Sequence, residues 1–336
     1  MNRTKVTHSL ITILILSSQF LMAGCSHNVS AGNRSDLHNK RFAIVAKSAG
    51  NENMKIMTDG FRSVIEEHGG KVIVKEPSFA TNDQTELISS LISQDVSGIS
   101  VAVNDPMSLS TILKEARDKG IYISSFDSPA NKDDRDIFIN QAGADEVGRT
   151  LVEAVYDISG GEGQWAILSS TSLAPNQNTW IEKMMSELEK NRKYDDLFLV
   201  DVTYGDDEIL KSKEKTRKLL EKYPDLKVIC APTTKGILAA AEVISETGSE
   251  VRLTGLGRPE EMSDYIGSDK TCPYIFFGDS YALGKLTANA AIALEEGTIT
   301  GAVGESFNAG ELGSFTIKKD KDGGTEVVLG PLVRIN

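Results

Sequence analysis

The chain has 336 residues, 40% of them hydrophobic, and a formal charge of −12 from 36 basic and 48 acidic side chains. That length suits two lobes, because single cores stop growing beyond about 250–300 residues. The acidic balance excludes a nucleic-acid binder, whose phosphate contacts need clustered Lys and Arg, and is read as a device for solubility.

The N-terminus opens with two basic residues, Arg3 and Lys5, and an apolar run from Leu10 to Leu16 that Phe20 and Leu21 extend. A bilayer of ~30 Å hydrocarbon needs about 20 residues to span it, so this shorter run reads as a secretory signal with small residues at its cleavage site. The signal ends on Leu21-Met22-Ala23-Gly24-Cys25, which resembles a bacterial lipobox, with Met22 where that motif usually carries Leu. Residues 1–24 are therefore expected to be a lipoprotein signal peptide, with Cys25 as the lipid attachment point outside the cytoplasmic membrane. Residues 25–40 (Ser26 to Lys40 reads SHNVSAGNRSDLHNK) are polar, lack apolar periodicity and are expected to form a flexible tether.

From Arg41 onward, short β-rich runs alternate with amphipathic stretches. Phe42–Ala46 reads as a strand. Met54–His68 reads as a helix with Met54, Met57, Phe61, Val64 and Ile65 on one face, stopped by Gly69-Gly70. Strands follow at 72–74, 99–103, 121–126 and 137–139, with helices at 81–94 and 106–119. Pro106 suits a helix's first turn. The pattern then restarts. Strands are predicted at 164–168, 197–203, 228–231, 253–256 and 274–277, and helices near 177–191, 208–222, 235–246, 259–266 and 281–296. Two more strand-like segments, 314–317 and 326–329, close the chain. Such alternation implies an α/β fold of two doubly wound parallel-sheet lobes with helices on both faces. In the strand order 2-1-3-4-5, Cys230 on the third strand of the second lobe and Cys272 before the fifth lie too far apart for a disulfide, so both are expected to be free thiols.

The familiar catalytic signatures are missing: there is no P-loop, no Gly-x-Ser-x-Gly elbow and no Cys-x-x-Cys. Gly255-Leu256-Gly257 is half a dinucleotide fingerprint, but Glu260 stands where its third Gly belongs. The four histidines lie in the signal, in the tether or at a helix end, so no metal or cofactor is expected. Polar residues instead cluster at the carboxyl ends of the predicted strands, where open α/β sheets bind ligands. In the first lobe these are Lys47 and Asn51, Asn104-Asp105, and Asp127-Ser128. In the second they are Asn176-Gln177-Asn178 with Trp180, Thr233-Thr234, and Asp279-Ser280. Carboxylates and amides at such positions can hold the neighbouring hydroxyls of a sugar, and a Trp supplies an apolar wall. Asp105 is better read as the N-cap of the helix that Pro106 opens. Trp180 is open to either reading, ligand wall or core. Trp165 is read as core, and the charge run Lys132-Asp133-Asp134-Arg135-Asp136 as a solvated loop. An enzyme reading, a glycosidase built on paired carboxylates such as Asp127 and Asp279, stands as the alternative.

These features together resemble the type I periplasmic sugar-binding proteins of ABC importers, over about residues 41–336. The segments Gly160–Ile167, Asn176-Gln177-Asn178-Thr179-Trp180 and Thr254-Gly255-Leu256-Gly257 are similar to the rhamnose-binding and autoinducer-2-binding branch. The resemblance implies a small sugar-like ligand held by Lys47, Asp127, Gln177 and Pro232, with Asn176 and Thr234 where autoinducer-2 receptors carry Asp and Ala. Asn176 is what the rhamnose type carries. The slot where ribose-type proteins place an Asp is Gly257 here, so rhamnose, autoinducer-2 or a related polyol stay open. It also implies three crossings between lobes, near 140–144, 277–281 and 307–313. The N-terminal lobe would then be 41–141 plus 281–308, and the C-terminal lobe 142–280 plus 309–336. A monomeric, lipid-anchored receptor is expected, presenting its ligand to an ABC importer's membrane subunits or to a membrane kinase.

Overall fold

The structure, a computed structural model, describes residues 37–78 and 83–336. The signal, Cys25 and most of the expected tether lie outside the described residues. In chain order the elements begin with β1 (Arg41–Val45), α1 (Glu52–Glu67), β2 (Lys71–Lys75), α2 (Asp83–Ile92), β3 (Gly98–Val101), α3 (Pro106–Asp118), β4 (Tyr122–Phe126) and β5 (Ile137–Asn140). They continue with α4 (Ala144–Ser159), β6 (Gly163–Ser169), α5 (Pro175–Lys190), β7 (Leu197–Tyr204), α6 (Ile209–Lys222), β8 (Leu226–Ala231), α7 (Thr234–Thr247), β9 (Arg252–Gly255), α8 (Pro259–Met262) and β10 (Ile275–Phe277). The last are α9 (Ser280–Glu295), β11 (Ser306–Asn308), β12 (Ser314–Thr316), β13 (Lys318–Lys319), β14 (Thr325–Val328) and β15 (Val333–Ile335).

The apolar β-branched runs form two sheets. The first has seven strands in the order β13-β14-β5-β4-β3-β1-β2, and the second has four in the order β7-β6-β8-β9. A parallel bridge from Leu256 to Phe276 ties β10 to the second sheet beyond β9, and β15 pairs antiparallel with β10. The order 2-1-3-4-5 thus occurs twice. In the first sheet Phe42 lies between Val72 and Gly98, which places Phe42 and Ile44 against one helical layer, and Ala43 and Val45 against the other. One layer is α1 with α9; the other is α2 with α3. Each sheet is therefore buried on both faces, as parallel sheets require.

Local chemistry sets the helix ends. Asn51 caps α1 by accepting from the N–H groups of Asn53 and Met54, and Asp105 caps α3 by accepting from Met107. Helices α1 and α9 cross backbone to backbone. A Cβ added at Gly60 would lie 2.3 Å from the Tyr281 carbonyl oxygen, and one at Gly284 would lie 2.0 Å from that of Met57. Only glycine allows that approach.

Several expectations are corrected. Helix α4 has no counterpart in the predicted series. The last four tether residues are not loose: Leu37 is buried in the first lobe's core and its N–H donates to the His68 carbonyl. The expected solvated run 132–136 holds two buried charges, Asp134 and Arg135. The third crossing also lies later than expected. β11 packs on α9, and β14 pairs with β5, so residues 306–328 stay with the first lobe. The chain crosses at 141–143, at 278–279 and at 329–332, and only β15 of the assigned tail 309–336 joins the second sheet. Cys230 and Cys272 are free and buried; burial raises the Cys230 thiol pKa and pushes that of Cys272 up to about 12.

Candidate functional site

The carboxyl ends of both sheets face one cavity of about 60 Å³. Lys47 and Asn51 reach it from the loop after β1, Asp127 from the end of β4, Gln177 and Trp180 from the first turns of α5, and Pro232 and Thr234 from the β8–α7 connection. With Thr233 beside Thr234 and Ser280 at the start of α9, nine of the sequence-predicted residues are therefore brought together. A tenth, Asn176, lines a neighbouring cavity that shares Trp180, and its amide joins the two lobes. Its Oδ1 accepts from Lys47 Nζ at 2.8 Å and its Nδ2 donates to Asp127 Oδ2 at 3.3 Å, while Gln177 Oε1 accepts from Lys47 Nζ at 3.2 Å. Trp180 meets both of its readings, being only 5% exposed and part of the second lobe's core as well as of the cavity wall.

Four other predicted residues are not on the cavity: Asn104, Asn178, Ser128 and Asp279, the Asn178 amide donating to the Ser172 carbonyl at 2.8 Å. Ser128 is fully buried and donates to the Val103 carbonyl at 2.6 Å, because Asp127 takes the outward position of that turn. Asp279 is the N-cap of α9 and accepts from the Ala282 N–H at 2.9 Å. A carboxylate there satisfies an otherwise orphaned helix N–H.

Backbone geometry positions the charged pair. Asp127 has a left-handed φ of 58°, held by its own N–H donating to the Ile139 carbonyl at 3.1 Å. Asn104 Nδ2 donates to the Lys47 carbonyl at 2.6 Å and fixes the end of β1. Both side chains are buried. Desolvation lowers the Lys47 pKa, opposed by the charges of Asp127 and Asp207; desolvation raises that of Asp127, opposed by Lys47. Neither charge is matched by a direct ion pair. Each is held by neutral amides.

Sequence reasoning missed Ser170, Asp207, Gln141, Asn53 and the apolar residues Met54, Leu256 and Phe276, all on the cavity wall. Ser170 is buried and its Oγ finds no protein partner. Both Ser170 and Asp207 follow strand ends, after β6 and β7, and that position was the available signal. No residue lining the cavity is an arginine.

A family model described as a periplasmic binding protein domain matches residues 42–299. The chain belongs to the periplasmic binding protein family. It is accordingly a binding protein and not an enzyme, which removes the glycosidase alternative. An ABC transporter solute-binding protein from Clostridium phytofermentas, solved with bound L-rhamnose, is 45% identical, with a TM-score of 0.86 over 88% of this chain and 95% of that one. LsrB from Clostridium saccharobutylicum, solved in complex with AI-2, has a TM-score of 0.81 over 88% of this chain and 97% of that one, at 19% identity, and so shares the fold. Among curated proteins, the D-ribose/D-allose-binding protein of Pseudomonas aeruginosa is 24% identical over 230 residues, 64% of this chain and 70% of that protein.

Proposed function

We propose that this chain is an extracytoplasmic receptor that captures a neutral 6-deoxy sugar of the L-rhamnose type between its lobes and delivers it to an ABC importer. The observation that carries the reading is the makeup of the cavity wall, from residues of both lobes. Lys47, Asn51 and Gln177 supply donors, Asp127 supplies an acceptor, and Ser170 supplies a buried hydroxyl without a protein partner. Met54, Trp180, Leu256 and Phe276 supply an apolar surface that suits a ring face and a methyl group. With one ammonium, two carboxylates and no arginine on the wall, the site disfavours anionic guests such as sugar acids. The relative with bound L-rhamnose, 45% identical, supports the same ligand class.

Capture works through closure. Lys47 and Asp127 already bond Asn176 across the cleft. A sugar would take over part of these bonds, add contacts to both lobes and shift the population toward the closed form. Lipidation at Cys25 would hold the receptor beside its membrane partner and raise its effective concentration there. Among the described residues no helix is long and apolar enough to cross a membrane. Calorimetric titration with L-rhamnose, D-ribose and autoinducer-2 tests the reading. The expected outcome is tightest binding of L-rhamnose, near or below micromolar, which corresponds to about −8 kcal/mol. Preference for ribose, or binding of no sugar, would refute it.

A further inference from the structure

Asp207 lies on the cavity wall, and its hydrogen bonds reach from its own lobe to the other. It belongs to the tight connection between β7 and α6, where Asp206 and Asp207 both have left-handed backbones, with φ of 53° and 57°. Successive non-glycine residues in that region are uncommon and persist only where surrounding structure enforces them. Here the Gly205 N–H donates to the Ser169 carbonyl at 3.0 Å and the Asp206 N–H to the Ser170 carbonyl at 2.8 Å. The turn carries the Asp207 carboxylate across to the first lobe. Its Oδ2 accepts from Ser48 Oγ at 2.7 Å and from Asn51 Nδ2 at 3.1 Å. Within its own lobe, Oδ1 accepts from Thr233 Oγ1 at 3.3 Å, and Lys235 Nζ lies 3.9 Å from Oδ2. Asn51 is the N-cap of α1 and Thr233 the N-cap of α7. One carboxylate thus sits at the N-termini of two long helices, one from each lobe, where both dipoles favour an anion.

We propose that Asp207 is a positioning residue: a clasp that holds the two lobes together and sets the lifetime of the closed form whatever sugar lies inside. The proposal rests on the reading above that the cleft captures its ligand by closing. The bonds to Ser48 and Asn51 exist only while the lobes meet, and bonds to a carboxylate are the strong kind. The Lys47–Asn176–Asp127 bridge differs, because a sugar competes for those same groups. Ser48 separates the two roles: it bonds Asp207 but does not line the cavity.

The test uses Ser48→Ala, Asp207→Ala and the double variant of the full chain, with L-rhamnose as the probe and release followed by stopped-flow tryptophan fluorescence. Both single variants should release faster, by roughly tenfold for Asp207→Ala, with association little changed. The double variant should match Asp207→Ala, and in Ser48→Ala, whose side chain does not line the cavity, the order of preference among rhamnose, ribose and autoinducer-2 should not move. Wild-type release from Ser48→Ala, additive effects in the double variant, or a reordered preference in Ser48→Ala would overturn the clasp. Small-angle scattering of the ligand-free chains gives a readout that needs no sugar. Both single variants should be more expanded than wild type, and unchanged radii would overturn the clasp. If wild type binds no sugar, the ligand reading falls and scattering alone decides the clasp.

Discussion

The first lobe buries two acid–base sets and treats them in opposite ways. Arg135 and Asp320 pair directly. The guanidinium also donates to the Ala130 carbonyl and lies 5.5 Å above the Phe138 ring, and the other Asp320 oxygen accepts the N–H groups of Asp322 and Gly324 at 2.9 and 2.7 Å. Every contact there is internal, and the pair fastens the β13–β14 loop to the start of β5. Lys47 and Asp127 are equally buried, but they share the amide of Asn176, a residue of the other lobe. A charge matched by a fixed opposite charge is structural. A charge held only by a neutral amide can exchange that partner for a ligand.

The contrast breaks most visibly at Asp127. Asp127→Ala should weaken sugar binding by a hundredfold or more, since a charge-assisted hydrogen bond contributes ~1.5–3 kcal/mol and a carboxylate offers two. Its melting curve should stay close to that of wild type. Calorimetry beside differential scanning measures both, and retained affinity would show that the two sets do not differ in kind. Arg135→Ala should do the reverse. Removing one member strands the buried Asp320 carboxylate and costs about 3–5 kcal/mol of stability, while rhamnose affinity at 15 °C, where the variant stays folded, should be nearly unchanged.

A smaller effect concerns pH. Burial raises the Asp127 pKa above its ordinary 3.8. The stability this gives the folded chain is fully present below 3.8 and is lost as pH rises through the raised value. Lowering the pH from 7 toward 4 should therefore stabilise ligand-free wild type relative to Asp127→Asn. A constant offset between their melting temperatures across that range would mean that Asp127 is not desolvated as the closed cleft requires.

The doubled α/β pattern was legible because buried parallel strands such as Phe42–Val45 and Val228–Ala231 are continuous apolar runs, and such runs are local. Most of the cavity was legible for a related reason: residues directly after those strands must emerge at one edge. Helix α4 was equally legible, with Val147, Leu151, Val152 and Val155 on one face before Gly160, but it sits where the chain changes lobes and falls between the two repeats. What stayed hidden depends on partners far away in sequence. Asp127 and Asp279 are both aspartates at strand ends, and only the following backbone makes one a cap. Arg135 reads as loop until Asp320 meets it. The destination of β14 is set by pairing with β5, and parallel pairing leaves no turn signal in the sequence.

That last pairing governs when the molecule can form at all. Glu326 stands beside Phe138 in the first sheet, and its carboxylate accepts from Asn140 across 186 positions. The first lobe therefore opens the chain but lacks its edge until residue 328 is available, and β15 must then return to finish the second sheet. Neither lobe is a continuous stretch that could mature alone. For a chain threaded extended through a membrane, as the proposed extracytoplasmic role would require, such late closure would be useful. It keeps the polypeptide from locking into its final shape while most of its length has yet to pass.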